Sequence, residues 1–180
     1  MKLVITDEVQ DWQDLAQYLS KQQITLPEFR VGVISVLTNQ TNQFLLQRRG
    51  PKSRTDRFLL SEISGEAETY DSSFRDALMR ELEEEVGTEA QFRLDDFIGG
   101  FFTTKFDKRE QNNVNWLFLF YKGAYLGGQL QIKEPEKCLG YESFAYEDLP
   151  VQELCSGSRF INQFYHEKQM NQATAKVKKL

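Results

Sequence analysis

The segment that most constrains the fold has the residue order Arg-Glu-Leu-Glu-Glu-Glu-Val-Gly at positions 80–87. Glu81, Glu84 and Glu85 stand at i, i+3 and i+4, so a helix places their side chains along one strip. Apolar residues with helical spacing form an adjoining strip, and they are Leu78, Leu82 and Val86. The sequence therefore predicts an amphipathic helix with three carboxylates at the edge of its buried face.

The two ends of this helix are marked by capping residues. Ser72 or Ser73 can cap the N-terminus, and Ser73 with Asp76 fits a capping box. Gly87 is placed to end the helix. The sequence thus predicts a helix over residues 73–86.

Three like charges on one strip repel each other, and two remedies are available. A hard divalent cation can take the carboxylate oxygens as ligands, and Arg80 can pair with Glu84 across one turn. A solvated acidic face is the alternative, and it is the preferred interpretation for Glu83. For the strip as a whole, the crowding favours a metal site.

The same segment resembles the box of the Nudix (MutT-like) hydrolase family. That box runs glycine, five residues, glutamate, seven residues, then Arg-Glu-hydrophobic-any-Glu-Glu-any-Gly-hydrophobic. Its second half matches in register at Arg80, Glu81, Leu82, Glu84, Glu85 and Gly87. In the first half, Gly65 matches the glycine and Asp71 stands at the glutamate, with one extra residue before Arg80 that a loop can accept. Counting back from Arg80 instead puts Ser72 at the glutamate and Glu66 at the glycine.

Other segments resemble the same family between about residues 29 and 150. Phe44–Arg49 resembles the strand before the box, and residues 134–150 resemble the closing strand and loop. The resemblance implies an α/β fold, a Nudix-type α/β/α sandwich with a mixed β-sheet, in a single domain over residues 1–180.

Helical and extended patterns surround this core. A helix is predicted over residues 7–21, and its apolar stripe can pack on the domain or on the partner chain of a homodimer. A last helix is predicted over about residues 158–175. Strands are predicted over residues 31–37 and 44–47 as a hairpin, and over 58–63, 92–104, 114–122, 130–132 and 141–146, with a charged loop over 105–113.

The family resemblance also implies roles for the acidic strip. In the family, the last two box glutamates bind Mg²⁺ or Mn²⁺, which corresponds to Glu84 and Glu85. The glutamate after the arginine binds metal or acts as a base, which corresponds to Glu81. The carbonyl of the box glycine can also ligate metal, which corresponds to Gly65, and Arg80 is expected in the same catalytic cluster.

Further residues are candidates for the same site. A glutamate from a later loop often completes the site in the family, and the sequence does not choose among Glu134, Glu136 and Glu142. Asp71 is interpreted either as a helix cap or as a residue that orients a metal ligand. Arg48 and Arg49 are interpreted as phosphate contacts or as solvated residues at a strand end. Several aromatic residues are candidates for stacking on a base, although alternating burial explains most of them: Phe101, Phe102, Phe106, Trp116 and Phe118.

The function predicted from these features is hydrolysis of an acid anhydride. Water attacks a phosphorus of a diphosphate linkage in a nucleoside-diphosphate-type small molecule, and a divalent metal neutralises the phosphoryl oxygens. One alternative is an isopentenyl-diphosphate-isomerase-like enzyme, which would use a catalytic cysteine near the box; residues 101–105 contain none and Cys138 lies elsewhere. The other is a Nudix-like module that binds a nucleotide or a protein without turnover.

Composition argues against several other classes of protein. A net charge of −5 argues against a binder of nucleic-acid polymers, and no apolar run reaches the length of a membrane span. The two cysteines, Cys138 and Cys155, give no disulfide framework, so we expect buried, inert thiols and a cytoplasmic location. A single histidine, His166, argues against zinc sites of the His/Cys type.

Overall fold

The computed structural model describes residues 2–108 and 110–165. The strands are β1 Lys2–Ile5, β2 Arg30–Thr38, β3 Phe44–Arg49, β4 Leu60–Ser61, β5 Ser64–Glu66, β6 Gln91–Asp107, β7 Asn112–Gly127 and β8 Cys138–Phe144. The helices are α1 Trp12–Lys21 and α2 Phe74–Val86, with a 3-10 helix at Tyr146–Asp148 and a helix α3 over residues 156–165. In this part of the chain, no helix is both long and apolar enough to traverse a bilayer.

All eight strands belong to one mixed sheet. Its order is β1-β6-β7-β2-β3-β4, with β5 beside β2 and β8 beside β3. Strand β2 pairs with β7 in parallel from Arg30 to Thr38, and the other pairings are antiparallel. Between β2 and β3, by contrast, the ladder contains the single pair Thr38 and Phe44. The two strands of the predicted hairpin therefore pair only next to the turn. Farther from the turn they diverge and pair with other strands.

The segment over residues 60–66 crosses the gap that this divergence opens. Its first part, β4, pairs with β3, and its last part, β5, pairs with β2. At the crossing, the backbone N–H and the hydroxyl of Ser35 both donate to the Ile63 carbonyl, at 3.1 and 2.9 Å. This segment thus connects the two groups of strands in the middle of the sheet.

Alternate residues of β7 enter cores on opposite faces of the sheet. Leu117 and Leu119 lie in the cluster that contains Leu82 of α2, whereas Phe120 lies in the cluster that contains Ile161 of α3. This follows from the period of two along a strand. Helices cover both faces of a mixed sheet, which confirms the predicted α/β/α fold.

The apolar side of α1 packs on the same core as α2. Leu15 is buried, and the ring of Trp12 meets that of Phe74 edge to face at 5.5 Å. The side chain of Asp11 accepts two backbone N–H groups of the first turn, so the helix begins at Trp12 and the predicted start at Asp7 was wrong. The sequence analysis also missed β1, which pairs with β6.

The hairpin of β6 and β7 is longer than predicted. Lys105 pairs with Val114, and the ladder continues to the pair of Asp107 with Asn112. The prediction of a charged loop over residues 105–113 was therefore wrong, because ladder hydrogen bonds extend through charged residues when the opposite strand supplies partners.

Two predictions near the C-terminal half also differ from the structure. Residues 130–132 form no strand; the backbone N–H of Gln131 instead donates to the Val86 carbonyl at 2.9 Å, at the end of α2. Helix α3 begins before the predicted residue 158. The part of its predicted range over 166–175 lies outside the described residues.

Candidate active site

Helix α2 is fixed at both ends by the residues that the sequence predicted. The Ser73 hydroxyl accepts a hydrogen bond from the Asp76 backbone N–H at 3.1 Å and donates one to the Asp76 carboxylate at 2.9 Å. Gly87 has a φ of 84° and its N–H donates to the Glu83 carbonyl, a conformation that residues with a Cβ rarely adopt. Local interactions therefore set where the acidic strip stands.

Arg80 makes the ion pairs that order this strip. Its Nε and Nη2 each lie 2.9 Å from a carboxylate oxygen of Asp71. Its Nη1 lies 2.7 Å from Glu81 Oε1 and 3.4 Å from the oxygens of Glu84. The hydrogen bond from Arg80 holds the pKa of Asp71 below its ordinary value. The predicted Arg80–Glu84 pair is present but long, and Asp71 is the closer, bidentate partner.

The position of Asp71 excludes one of its two interpretations. Ser73 is the N-cap of α2, so the interpretation of Asp71 as the cap was wrong. Asp71 Oδ2 also accepts the backbone N–H of Glu68 at 2.8 Å, which fixes its carboxylate from a second side. Because Arg80 contacts Glu81 in turn, Asp71 orients a carboxylate of the strip through one intermediary.

Glu81 lies against the backbone of β5 at Gly65. A Cβ at position 65 would stand 1.9 Å from Glu81 Cδ, so any other residue there would displace the carboxylate. The Glu81 side chain is 16% exposed, and burial raises its pKa. The two elements that the family resemblance joins, the box glycine and the helix, are thus in direct contact.

Glu85 carries the least satisfied carboxylate of the strip. Its Oε2 atom is buried and has no hydrogen-bond partner. Burial, and then the neighbouring charge of Glu81, raise the pKa of Glu85 to about 7. A buried carboxylate oxygen without a partner is unfavourable, and a hard cation is a partner that suits it. The Glu84 side chain, by contrast, is 60% exposed.

Arg80 relieves part of the repulsion within the acidic strip. The fit to a metal therefore depends on the oxygens that Arg80 does not contact. Arg80 already supplies a counter-charge to Glu81 and Glu84. Within residues 2–108 and 110–165, no three acidic, histidine or cysteine side chains converge closely enough to hold an ion. The side chain of Glu85, however, lines the same cavity as Glu81 and Gly65, and its Oε2 atom is buried without a hydrogen-bond partner. These oxygen donors fit Mg²⁺ or Mn²⁺.

The cavity has a volume of about 390 Å³ and lies where β2 and β3 diverge. Its lining includes residues of β2, β5, β6 and β7 and residues of β3, β4 and β8. Its acidic end is formed by Gly65, Glu66, Glu81, Glu85 and Glu134. Its other lining residues include aromatic and basic side chains, namely Trp116, Phe118, Phe120, Arg49, Lys105 and Lys137. A ligand in this cavity would meet both signs of charge and aromatic side chains.

The structure separates the candidates for completing the site. Glu134 borders the cavity, where its carboxylate pairs with Lys137 at 2.6 Å. Glu136 and Glu142 form ion pairs with basic side chains at 3.3 and 2.6 Å and do not line it. Arg49 borders the cavity as well, whereas Arg48 does not. Of the three candidate glutamates, Glu134 is therefore the one that a ligand in the cavity could contact. Of the two arginines at the end of β3, it is Arg49.

Three of the five aromatic candidates border the cavity: Phe106, Trp116 and Phe118. The rings of Trp116 and Phe118 are stacked, with centroids 5.5 Å apart and planes 2° apart, and Lys105 Nζ lies 5.3 Å from the centre of the Phe118 ring. Phe101 is instead fully buried in the core beneath α3. Trp116 and Phe118 therefore form a stacked aromatic pair at the cavity, which we call the aromatic wall.

Sequence reasoning missed Glu62, which is fully buried and borders the cavity. The Ser158 hydroxyl donates to its Oε2, and Asn162 Nδ2 donates to its Oε1 at 2.8 Å. Burial raises the pKa of Glu62. The available signal was an acid inside the apolar run over residues 58–63, since such a position predicts a buried and partnered carboxylate.

Both cysteines also border the cavity, although they lie far from the acidic helix in sequence. Cys138 and Cys155 are buried and their thiols are free, which confirms that they are buried. Burial raises the pKa of both thiols. They are therefore held neutral at pH 7 and are not activated nucleophiles.

The chain also matches known proteins. A family model described as the NUDIX domain matches residues 28–163. No protein among the curated ones is significantly similar to the chain in sequence.

Several solved structures share the fold at low sequence identity. The MutT protein from Methanosarcina mazei Go1 is 18% identical, with a TM-score of 0.63, and the match covers 82% of this chain and 99% of that one. A MutT NUDIX hydrolase from Burkholderia pseudomallei is 22% identical, with a TM-score of 0.59, covering 76% and 98%. The NUDIX domain of Shewanella oneidensis NrtR, complexed with ADP ribose, is 16% identical, with a TM-score of 0.60, covering 86% and 97%.

Proposed function

The chain belongs to the Nudix family, and from that premise we propose that it is a metal-dependent pyrophosphohydrolase. The proposed reaction cleaves a diphosphate linkage in a nucleoside-diphosphate-type small molecule by attack of water at phosphorus. Family membership and the fold shared with solved MutT structures support this class of reaction. Two buried free thiols suit a reducing compartment, so we propose a cytoplasmic location.

The observation that carries the proposal is the carboxylate of Glu85. The other two carboxylates of the strip, Glu81 and Glu84, both pair with Arg80. The Glu85 side chain lines a cavity large enough for a ligand, and its Oε2 atom is buried without a hydrogen-bond partner. A hard divalent cation satisfies such an oxygen, and a protein that bound no metal would gain nothing from leaving it unpaired.

The residues that would hold Mg²⁺ or Mn²⁺ are Glu81, Glu84, Glu85 and the Gly65 carbonyl. A bound metal neutralises charge on phosphoryl oxygens and lowers the pKa of an attacking water. Glu81 accepts a proton more readily than an exposed glutamate, because burial raises its pKa. Arg80, which Asp71 fixes, holds one oxygen of Glu81 in position.

Two further groups of cavity residues are assigned to the substrate. Arg49 and Lys137 border the cavity, and their charges suit the non-bridging oxygens of a diphosphate. The stacked rings of Trp116 and Phe118 suit a planar base. In this arrangement the diphosphate of the substrate lies at the acidic end of the cavity with the metal, and its base lies along the aromatic wall.

The test is hydrolysis of a panel of diphosphate compounds in the presence of Mg²⁺ or Mn²⁺, followed by release of monophosphate. We expect turnover that requires the metal and that collapses in Glu84→Gln and in Glu85→Gln. Glu83→Gln is the matched control, because Glu83 is a solvent-exposed neighbour on the same helix. Turnover that needs no metal, or that survives both substitutions, would disprove the proposal.

One observation favours a second candidate, a module that binds without turnover. Arg80 places its single positive charge beside two of the three acids of the strip without a metal, so part of the crowding is relieved in a protein that never binds one. Calorimetry on the same panel separates the two. Tight binding of a diphosphate compound with no hydrolysis under any divalent cation would favour the binding module. The isomerase alternative receives no such support, because both thiols are held neutral by burial.

A further inference from the structure

We propose that a basic pocket next to the cavity binds a phosphate group of the substrate that is not part of the scissile linkage. The basic pocket is lined by Lys52, Ser53, Arg54, Arg57 and Lys108. This inference rests on the proposed function, and it narrows the substrate class to diphosphate compounds that carry an additional phosphoryl group.

The lining of the basic pocket has one sign of charge. Four of its five residues are cationic and none is acidic, although the chain as a whole carries a net charge of −5. Like charges around one concavity repel each other, and an anion in the pocket relieves that repulsion. The forked guanidinium groups of Arg54 and Arg57 match the oxygens of a phosphate.

The acids nearby compensate these charges weakly. Lys52 Nζ lies 3.3 Å from a carboxylate oxygen of Glu136, and Arg54 Nη1 lies 3.5 Å from Glu66, so both pairs are longer than a good charge-assisted hydrogen bond. In the described part of the chain, Arg57 and Lys108 have no acidic partner within ion-pair distance. The pocket therefore has charge left over for an anionic ligand.

The basic pocket and the cavity are neighbours that share part of their lining. Ser53 and Arg54 line both of them. Arg54 reaches Glu66, which directly follows Gly65 in β5, so its guanidinium stands between the acidic end of the cavity and the basic pocket. A single extended ligand can place its diphosphate at Glu85 and another phosphate among these cations.

The backbone that carries the cations is held in place. The N–H of Lys52 donates to the Glu136 carbonyl at 2.8 Å, and the Ser53 hydroxyl donates to the Lys137 carbonyl at 2.9 Å. The same segment, residues 134–137, also carries Glu134 and Lys137, which border the cavity. The two sites are therefore supported by one stretch of backbone. A preformed frame reduces the ordering that binding requires.

The test compares two diphosphate substrates that differ only in one additional phosphate, such as ADP-ribose and its 2′-phosphorylated form, together with other such pairs. The measured quantity is the ratio of kcat/KM for the phosphorylated compound to that for its counterpart. We expect a ratio of at least about ten in the wild type, because loss of charge-assisted contacts worth about 1.4 kcal/mol or more costs tenfold or more. The ratio should fall to near one in Arg57→Gln/Lys108→Gln, through KM and not through kcat. Lys21→Gln/Arg93→Gln is the control of equal charge, since both residues lie outside the two sites, and it should keep the wild-type ratio.

Three results would overturn the inference. The first is an equal loss on both members of every pair, which would indicate a general effect of charge. The second is that inorganic phosphate inhibits the wild type but not the double variant, while the kcat/KM ratio is the same in both. That result would assign the pocket to a free anion. The third is tighter, variant-sensitive binding of a 5′-phosphorylated RNA oligonucleotide than of either small compound. If no substrate is hydrolysed at all, the proposed function fails while calorimetry with the same pairs and variants still tests the pocket.

Discussion

Glu62 and Glu85 are two glutamates that border the same cavity and yet differ in every contact. Both oxygens of Glu62 accept hydrogen bonds, from Ser158 and Asn162 of α3. Glu85 has a buried oxygen that accepts none. Burial raises the pKa of each carboxyl, but at Glu62 the hydrogen bonds offset part of that effect, whereas at Glu85 the charge of Glu81 adds to it.

The difference shows how a folded chain makes one acid structural and keeps another available. Glu62 is satisfied by residues of its own chain, so it ties α3 to the crossing segment over residues 60–66. The Oε2 atom of Glu85 has no hydrogen-bond partner among the described residues, so it remains available to ligate a cation. Burial alone does not distinguish these roles, and the hydrogen-bond partners do.

The largest effect that separates the two acids is expected in activity. Glu85→Gln should lower kcat/KM for the best diphosphate substrate by roughly 10³-fold, because it removes a charged metal ligand of the proposed site. Glu62→Gln should lower it by less than about tenfold, since its carboxylate contacts protein and not substrate. Steady-state kinetics with saturating Mg²⁺ measures both. A Glu62 variant that is as inactive as the Glu85 variant would erase the distinction.

The comparison reverses when stability is measured. Glu62→Ala leaves the Ser158 hydroxyl and the Asn162 amide without their acceptor, so we expect the free energy of unfolding to fall by about 3 kcal/mol. Glu83→Ala, on the exposed face of α2, is the control and should change it by less than about 0.5 kcal/mol. Urea unfolding of the metal-free proteins gives these values. A neutral Glu62→Ala would mean that α3 is held by its apolar contacts alone.

Removal of the charge at Glu85 should instead stabilise the metal-free protein. Its pKa of about 7 in the folded state lies above the ordinary value of roughly 4.3. A group of this kind costs stability as the pH rises through that window, and the full cost is present above it. Glu85→Gln should therefore raise the free energy of unfolding by about 2 kcal/mol at pH 8 and by much less at pH 5.

Thermal melts of the two proteins at pH 5 and pH 8 test this expectation, and melts with added Mg²⁺ give a second test. Excess Mg²⁺ should raise the Tm of the wild type at pH 8 and leave that of Glu85→Gln unchanged, because ligand binding stabilises only the state that binds. A wild-type Tm that is insensitive to both pH and Mg²⁺ would contradict the assignment of Glu85.

The smallest expected effect concerns the residue that acts through Arg80. Asp71→Asn removes the charge that fixes the guanidinium, so we expect kcat/KM to fall by about tenfold, as for other residues that orient a metal ligand. Asp71→Glu keeps the charge and should recover part of the loss. A tighter apparent affinity for Mg²⁺ in Asp71→Asn would show that Arg80 moves away from Glu81 when Asp71 no longer holds it. Asp71 would then not position Glu81 for the metal.

The local parts of this site were predictable from the sequence. Ser73, Gly87 and the spacing of Glu81, Glu84 and Glu85 specify α2 and its acidic strip, because capping and helical period act within a few residues. The mixed sheet with helices on both faces followed from the family resemblance, and the structure confirms it.

The long-range parts were not predictable, for a physical reason. Glu62 finds Ser158 and Asn162 at separations of 96 and 100 residues, and no local pattern encodes such a pair. The long β6–β7 hairpin and the divergence of β2 from β3 depend on which strands lie opposite each other. The pairing of Arg80 with Asp71 was missed because the short-range alternative, Glu84, satisfied the local rule.

The single pair between β2 and β3 has a mechanical consequence. The sheet consists of two groups of paired strands whose direct contact in the ladder is the single pair Thr38 and Phe44, and elsewhere the segment over residues 60–66 pairs with both groups. Because many paired residues resist bending more than a single pair does, we expect the angle between the two groups to be the softest degree of freedom around the cavity. The segment over residues 60–66 carries both Gly65, beside the proposed metal site, and Glu62, beside α3, so we expect a change in that angle to move the width of the cavity and the acidic residues together.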